Sequence, residues 1–148
     1  MNNSILVAFN DSISSKGIIN FLVNSSFSRD NTSIIMCHLF RKPSASEELM
    51  GKTFSTERES RINNAMESAR EKLIEKGFAP GNIETDIILE PYPTLADGVI
   101  DQCTKRNVDM VIIGRKKMSK AEEFVMGDLS VKLVRNLDGV AVLVIKSP

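Results

Sequence analysis

Apolar residues fall in this chain into short continuous runs, with longer stretches of helical spacing between them. Residues 4–9 (SILVAF) and 33–40 (SIIMCHLF) are almost wholly apolar, as strands covered on both faces are. Residues 83–90 (IETDIILE) begin with alternation, which suits a strand at a sheet edge. Val111, Ile112 and Ile113 make a run ending at Gly114, and residues 140–145 make another, entered through Asp138-Gly139. Between these runs the period becomes that of a helix. Ile13, Ile18, Ile19, Leu22 and Val23 form one stripe, after a turn cluster Asn10-Asp11-Ser12 whose side chains suit a helix start. Ile62, Ala65, Met66, Ala69 and Leu73 form the clearest stripe, closed by Gly77. Leu95, Ala96, Val99, Ile100 and Cys103 form a third, between Pro91-Tyr92-Pro93 and Asn107. Leu129, Leu133 and Leu137 form a fourth, following Gly127. Residues 41–54 read as a polar and acidic loop, longer than most connections. Gly17 inside the first helix costs up to about 1 kcal/mol against alanine; close packing on the sheet would explain it.

Five strands alternating with four helices predict an α/β fold with an open parallel sheet, in a single domain over residues 1–148. Right-handed crossovers leave few topologies for it. In such sheets ligands sit beyond the carboxyl ends of the strands, where helix N-termini present free N–H groups to anions. The segment from Gly114 to Ser130, between the last two strands, is therefore the first place to look for function.

The formal net charge of +0 gives no global reason to expect nucleic acid or membrane partners. No apolar run approaches the roughly 18 residues that a membrane span needs. The opening MNNSILVAF lacks a basic leader and enters a strand directly, so a cytoplasmic protein is expected. Cys37 and Cys103 lie in apolar segments without metal-ligand spacing and read as reduced core thiols. No metal site is expected. His38, the single histidine, sits within an apolar run without a nucleophile or carboxylate motif and reads as structural.

Other motifs fail on context. Residues 46–53 (SEELMGKT) approach a P-loop, but serine replaces the leading glycine, no strand immediately precedes it, and two acidic residues oppose phosphate. Residues 117–121 (KMSKA) resemble a synthetase lysine loop without its paired histidine motif. No Gly-x-Gly-x-x-Gly occurs. A receiver domain would need an acidic pocket and an Asp ending the third strand, where this chain has Glu90-Pro91.

The spacing of residues 114–130 resembles the phosphate loop of the universal stress protein family. Its nucleotide-binding members carry Gly, two residues, Gly, nine residues, Gly and a hydroxyl residue. Here Gly114, Lys117, Gly127 and Asp128 occupy those four positions, and Ser130 matches a second hydroxyl position. The resemblance covers nearly the whole chain. It implies an adenine nucleotide alpha hydrolase-like sheet of order 3-2-1-4-5 with helices on both faces, and a crevice flanked by Asn10 and Gly114. Asn10 stands where the family's Asp helps hold adenosine, and Leu39 matches a residue lining the adenine pocket. The implied ligand is ATP or AMP with Mg2+. The resemblance also implies a stress-response regulator that forms a homodimer through the C-terminal strand, from Val140 to Ile145, with protein partners not specified.

Two of the four loop positions depart from the pattern. Lys117 places a β-carbon where a left-handed glycine would sit, at about 1–2 kcal/mol. Asp128 sets a carboxylate near the phosphates: at about 5 Å and an effective dielectric of about 20, that repulsion is roughly 3 kcal/mol. Asp128 also makes a good helix N-cap, which would occupy the N–H groups a phosphate needs. Arg115, Lys116, Lys117 and Lys120 pull the other way. The expectation is a binding module with nucleotide binding weakened or lost. The alternative is an ATP- or AMP-binding member with slow hydrolysis. No general base is evident besides Asp128, so turnover would be poor and no catalytic residue is assigned.

Overall fold

The computed structural model describes residues 3–10, 13–41, 45–115, 120 and 129–147, with the backbone alone at 13, 40, 41 and 45–56. Its five strands are β1 (Asn3–Ala8), β2 (Thr32–Arg41), β3 (Ile83–Tyr92), β4 (Met110–Arg115) and β5 (Ala141–Lys146). The helices α1 (Ile13–Val23), α2 (Ala45–Glu75), α3 (Leu95–Arg106) and α4 (Leu129–Asn136) lie between them. All strand pairs are parallel and the order is β3-β2-β1-β4-β5. This is the order that the resemblance implies, and residues 83–90 do form an edge.

Successive strand residues point to opposite faces, and each face has its own core. Ile5, Val7, Ile34, Met36 and Ile112 pack against Ile18 and Leu22 of α1 and against Ile62, Met66 and Leu73 of α2. Leu6, Cys37, Leu39, Val111 and Ile113 face the other way, against Val99 and Cys103 of α3 and Leu133 of α4. The helical stripes read from the sequence supply the buried faces, except that Leu95, at the start of α3, is exposed.

The termini of these elements follow the residues that punctuate them. Thr94 caps α3 by accepting from the Asp97 N–H at 3.1 Å. Asn107 ends that helix in the left-handed region, at φ 52° and ψ 51°. Gly77, at φ +102°, ends α2 and lets the Phe78 N–H reach back to the Leu73 carbonyl at 3.1 Å. Gly17 does mark a close approach: a β-carbon there would lie 3.1 Å from Ser147 Oγ, just beyond β5.

Two boundaries differ from the sequence reading. The loop expected over residues 41–54 is helical from Ala45 onward. Its Ala, Glu, Leu, Met and Lys residues are good helix formers, and once the packed half exists each further residue adds a hydrogen bond without new nucleation. Gly51, at about 1 kcal/mol, does not stop that propagation. Strand β3 also runs past Glu90 to Tyr92, with a register irregularity in its partner between Leu39 and Arg41. An edge strand tolerates Pro91 because one side of it has no ladder to feed.

Candidate functional site

β1 and β4 are neighbours joined to opposite halves of the sheet, so their carboxyl ends form its switch point. Val7 pairs with Ile112, and that register, continued, sets Asn10 level with Arg115. Asn10 and Gly114 thus come close together at the carboxyl ends of β1 and β4. Arg115 is half-buried, and its carbonyl accepts from the Ser147 N–H at 2.8 Å. Ser130 is half-buried in the first turn of α4, which follows β4. Lys117, Gly127 and Asp128 lie outside the described residues.

The start of α1 lies against this switch point. The Asn10 N–H donates to Ser15 Oγ at 2.8 Å, and the Ser15 hydroxyl donates to Asn10 Oδ1 at 3.0 Å. Ser15 is buried and Asn10 exposed, so this reciprocal pair anchors the Asn10 carboxamide at the surface to a fixed hydroxyl beneath it. Beside it, a β-carbon on Gly114 would come within 2.8 Å of Ser14 Cβ and 3.0 Å of the Ser14 carbonyl oxygen. The first turn of α1 therefore rests on the end of β4, and only glycine fits beneath it.

Leu39 sits at the carboxyl end of β2 with its side chain 7% exposed, committed to the core on the α3 face. A β-carbon on Gly98 would lie 2.8 Å from both Leu39 Cδ2 and Tyr92 Cδ2, so α3 presses directly on this pair. His38 is buried, and its Nδ1 lies 2.8 Å from the Phe9 carbonyl. A carbonyl only accepts, so the proton is on Nδ1, and the ring ties β2 to the residue after β1.

A polar network not evident in the sequence joins β3 to α3. Tyr92 Oη lies 2.6 Å from Asp101 Oδ2 and 3.1 Å from Glu90 Oε2, and Gln102 Nε2 donates to it at 3.0 Å. Lys105 pairs with Asp101 at 2.9 Å. Burial first, and the Asp101 hydrogen bond second, push the Tyr92 hydroxyl above its usual range. The hydrogen bonds from Tyr92 and Lys105 hold Asp101 below the usual carboxylate range. Arg106 bridges Asp86 and Glu84 across the same edge. Every charge in this network has a partner, so it secures α3 to the edge strand rather than offering a reactive group. Among the described residues no three His, Cys, Asp or Glu side chains gather as they would around a metal, and no helix is long and apolar enough to cross a membrane.

The chain belongs to the universal stress protein family, whose model matches residues 1–146. Solved structures of low identity share the fold. A family protein from Arabidopsis thaliana with AMP bound has a TM-score of 0.66 at 14% identity, over 99% of this chain and 92% of that one. The universal stress protein from Archaeoglobus fulgidus in complex with dAMP has a TM-score of 0.59 at 12% identity, over 99% and 98% of the two chains. A universal stress protein in complex with cAMP has a TM-score of 0.66 at 14% identity, over 99% and 98%. No curated protein matches the chain.

Proposed function

We propose that this protein is a cytoplasmic stress-response regulator and binding module of its family, in which nucleotide binding is weakened or lost. The observation that carries this reading is at Asn10. Its Oδ1 and its N–H both engage Ser15, so the position that matches the family's adenosine-holding Asp has no carboxylate and spends its oxygen internally. Lys117 and Asp128 in the phosphate loop point the same way. The unpaired thiols Cys37 and Cys103 suit a reducing compartment.

A second reading is favoured by the AMP, dAMP and cAMP of the structurally similar proteins: an ATP- or AMP-binding member with slow hydrolysis. If nucleotide does bind, Asn10, Arg115 and Ser130 are the described polar residues placed to meet it. A bound Mg2+ would supply charge neutralisation at the phosphates.

Calorimetric titration of AMP and of Mg-ATP separates the two, once carried-over nucleotide has been removed. The first reading expects no binding at millimolar ligand, and a gain of about a hundredfold in Lys117→Gly/Asp128→Ser, from the roughly 3 kcal/mol of repulsion relieved. Micromolar binding by the natural chain would establish the second. A double variant that binds no better than the parent would overturn the account of the loop.

We propose further that the chain works as a homodimer paired through the strand from Val140 to Ile145. From Ala141 to Ile145 that open edge carries no charge, and an uncharged apolar edge calls for a cover.

A further inference from the structure

We propose that the outer edge of β3 is a docking site for an extended segment of a partner protein in which basic and apolar residues alternate. The site lies on the border of the sheet, separated from β1 by β2, and does not depend on whether nucleotide binds at the switch point.

Among the described residues β3 has a neighbour on one side only, β2. In a parallel ladder alternate residues turn their N–H and C=O groups outward. Between Ile83 and Leu89 the border therefore offers backbone groups that a further strand can pair with. Pro91 and the register irregularity between Leu39 and Arg41 close the ladder at its carboxyl end. Charge along an open edge decides which strands it turns away and which it admits.

The two faces of this edge differ. Ile83 and Ile87 pack on the core shared with α1 and α2, and alternation puts Leu89 on that same face, where it is 66% exposed. Ile88 and Tyr92 pack on the opposite face, under α3. Glu84, Asp86 and Glu90 therefore point that way, and Arg106 and Lys105 of α3 pair with them. Those two cations serve four carboxylates, because Lys105 also pairs with Asp101. Each member has a partner, yet the network holds an excess of negative charge. The Glu84 and Glu90 side chains remain 61% and 58% exposed, so that excess faces whatever approaches the edge.

A strand laid along β3 continues the same alternation. Its side chains on the α3 face meet the carboxylates, and those on the α2 face meet Leu89 and the flank of Ile87. Lysine or arginine at every second position, with an aliphatic residue between, satisfies both faces at once. Charge also excludes other occupants. Strand β5 of a second copy is uncharged from Ala141 to Ile145 and would cover the carboxylates without compensating them. Strand β3 of a second copy would set like charges opposite one another. Nucleic acid and anionic membrane are repelled by the same excess.

The test is fluorescence anisotropy of labelled synthetic peptides with the full chain at low ionic strength, where exposed charges are least screened. The probe alternates lysine and valine. One control carries the same residues in blocks, and another has glutamate in place of lysine. The alternating basic peptide should bind, and both controls should bind at least about tenfold more weakly. Glu84→Gln/Glu90→Gln should weaken the alternating peptide at least about tenfold, and Leu89→Ser about threefold. Glu67→Gln/Glu71→Gln, the same loss of charge on the exposed side of α2, should change it by less than about twofold. Circular dichroism checks that each variant folds. Equal binding of the alternating and blocked peptides would overturn strand addition, as would an α2 pair that matters as much as the β3 pair. No binding of the alternating peptide, or binding of a single-stranded oligonucleotide at this edge, would overturn the proposal as a whole.

Discussion

Gly114 has no side chain because Ser14 occupies the space that one would fill. Its Cβ would meet Ser14 Cβ at 2.8 Å and main chain at 3.0 Å, and neither neighbour is the free end of a flexible side chain. Gly114→Ala should therefore cost about 1–3 kcal/mol as α1 is pushed off β4, read as a lower urea midpoint with an unchanged m-value. Part of this site was legible in the sequence: the run ending at Gly114 marked a strand terminus, and Asn10 stood where a first strand gives way to a helix. What the sequence hid was the reason for each residue. The partner of Gly114 lies far away in the chain, and no local pattern announces that contact. Ser15 carried no signal either, since a serine in a helical stripe is ordinarily solvent-facing; here it is the buried partner of Asn10. His38 was legible as structural because it sat in an apolar run, and the Phe9 carbonyl gives that reading its geometry.

Elements were read best where packing dictates the residues. The second half of α2 shows its stripe because Ile62, Met66, Ala69 and Leu73 are buried. The first half has no such stripe, so periodicity could not reveal a helix that propagation from the packed half supports. The junction beneath α1 and α2 was equally silent. Arg29 donates to the Val23 carbonyl at 3.0 Å, the Phe27 carbonyl at 3.3 Å and the Lys76 carbonyl at 3.2 Å. Its guanidinium stacks on Phe78 with 4.2 Å to the ring centroid. One cation thus serves the carbonyl-rich ends of two helices, where the macrodipole favours positive charge. Arg29→Ala should lower the unfolding free energy by about 2–3 kcal/mol. Arg29→Lys should recover less than half of that, because an ammonium cannot reproduce the planar fork. Denaturant titration of the three proteins decides it.

The whole molecule should be sensitive to alkali. Burial pushes the Cys37 and Cys103 thiols from 9.0 up to about 11. Groups with raised folded values contribute stability that is fully present below the unfolded value and lost as pH rises through the folded one. The urea midpoint should thus hold up to pH 9.0 and fall toward pH 11. Cys37→Ala/Cys103→Ala should shrink that fall without abolishing it, since Tyr92 is shifted in the same direction. At this scale the fold was the most legible feature, because alternating runs and handedness leave few arrangements. The strand order needed the family resemblance, since no periodicity says which strands are neighbours. The two borders of the sheet are chemically unlike: β3 carries Glu84, Asp86, Glu90 and Pro91, and β5 is bare from Ala141 to Ile145. Two copies joined at β5 would present β3 at both extremities. A third copy arriving there would meet carboxylates and a missing N–H donor. Growth would then stop after a single addition, and the chemistry of the strand that takes no part in the pairing would bar filaments.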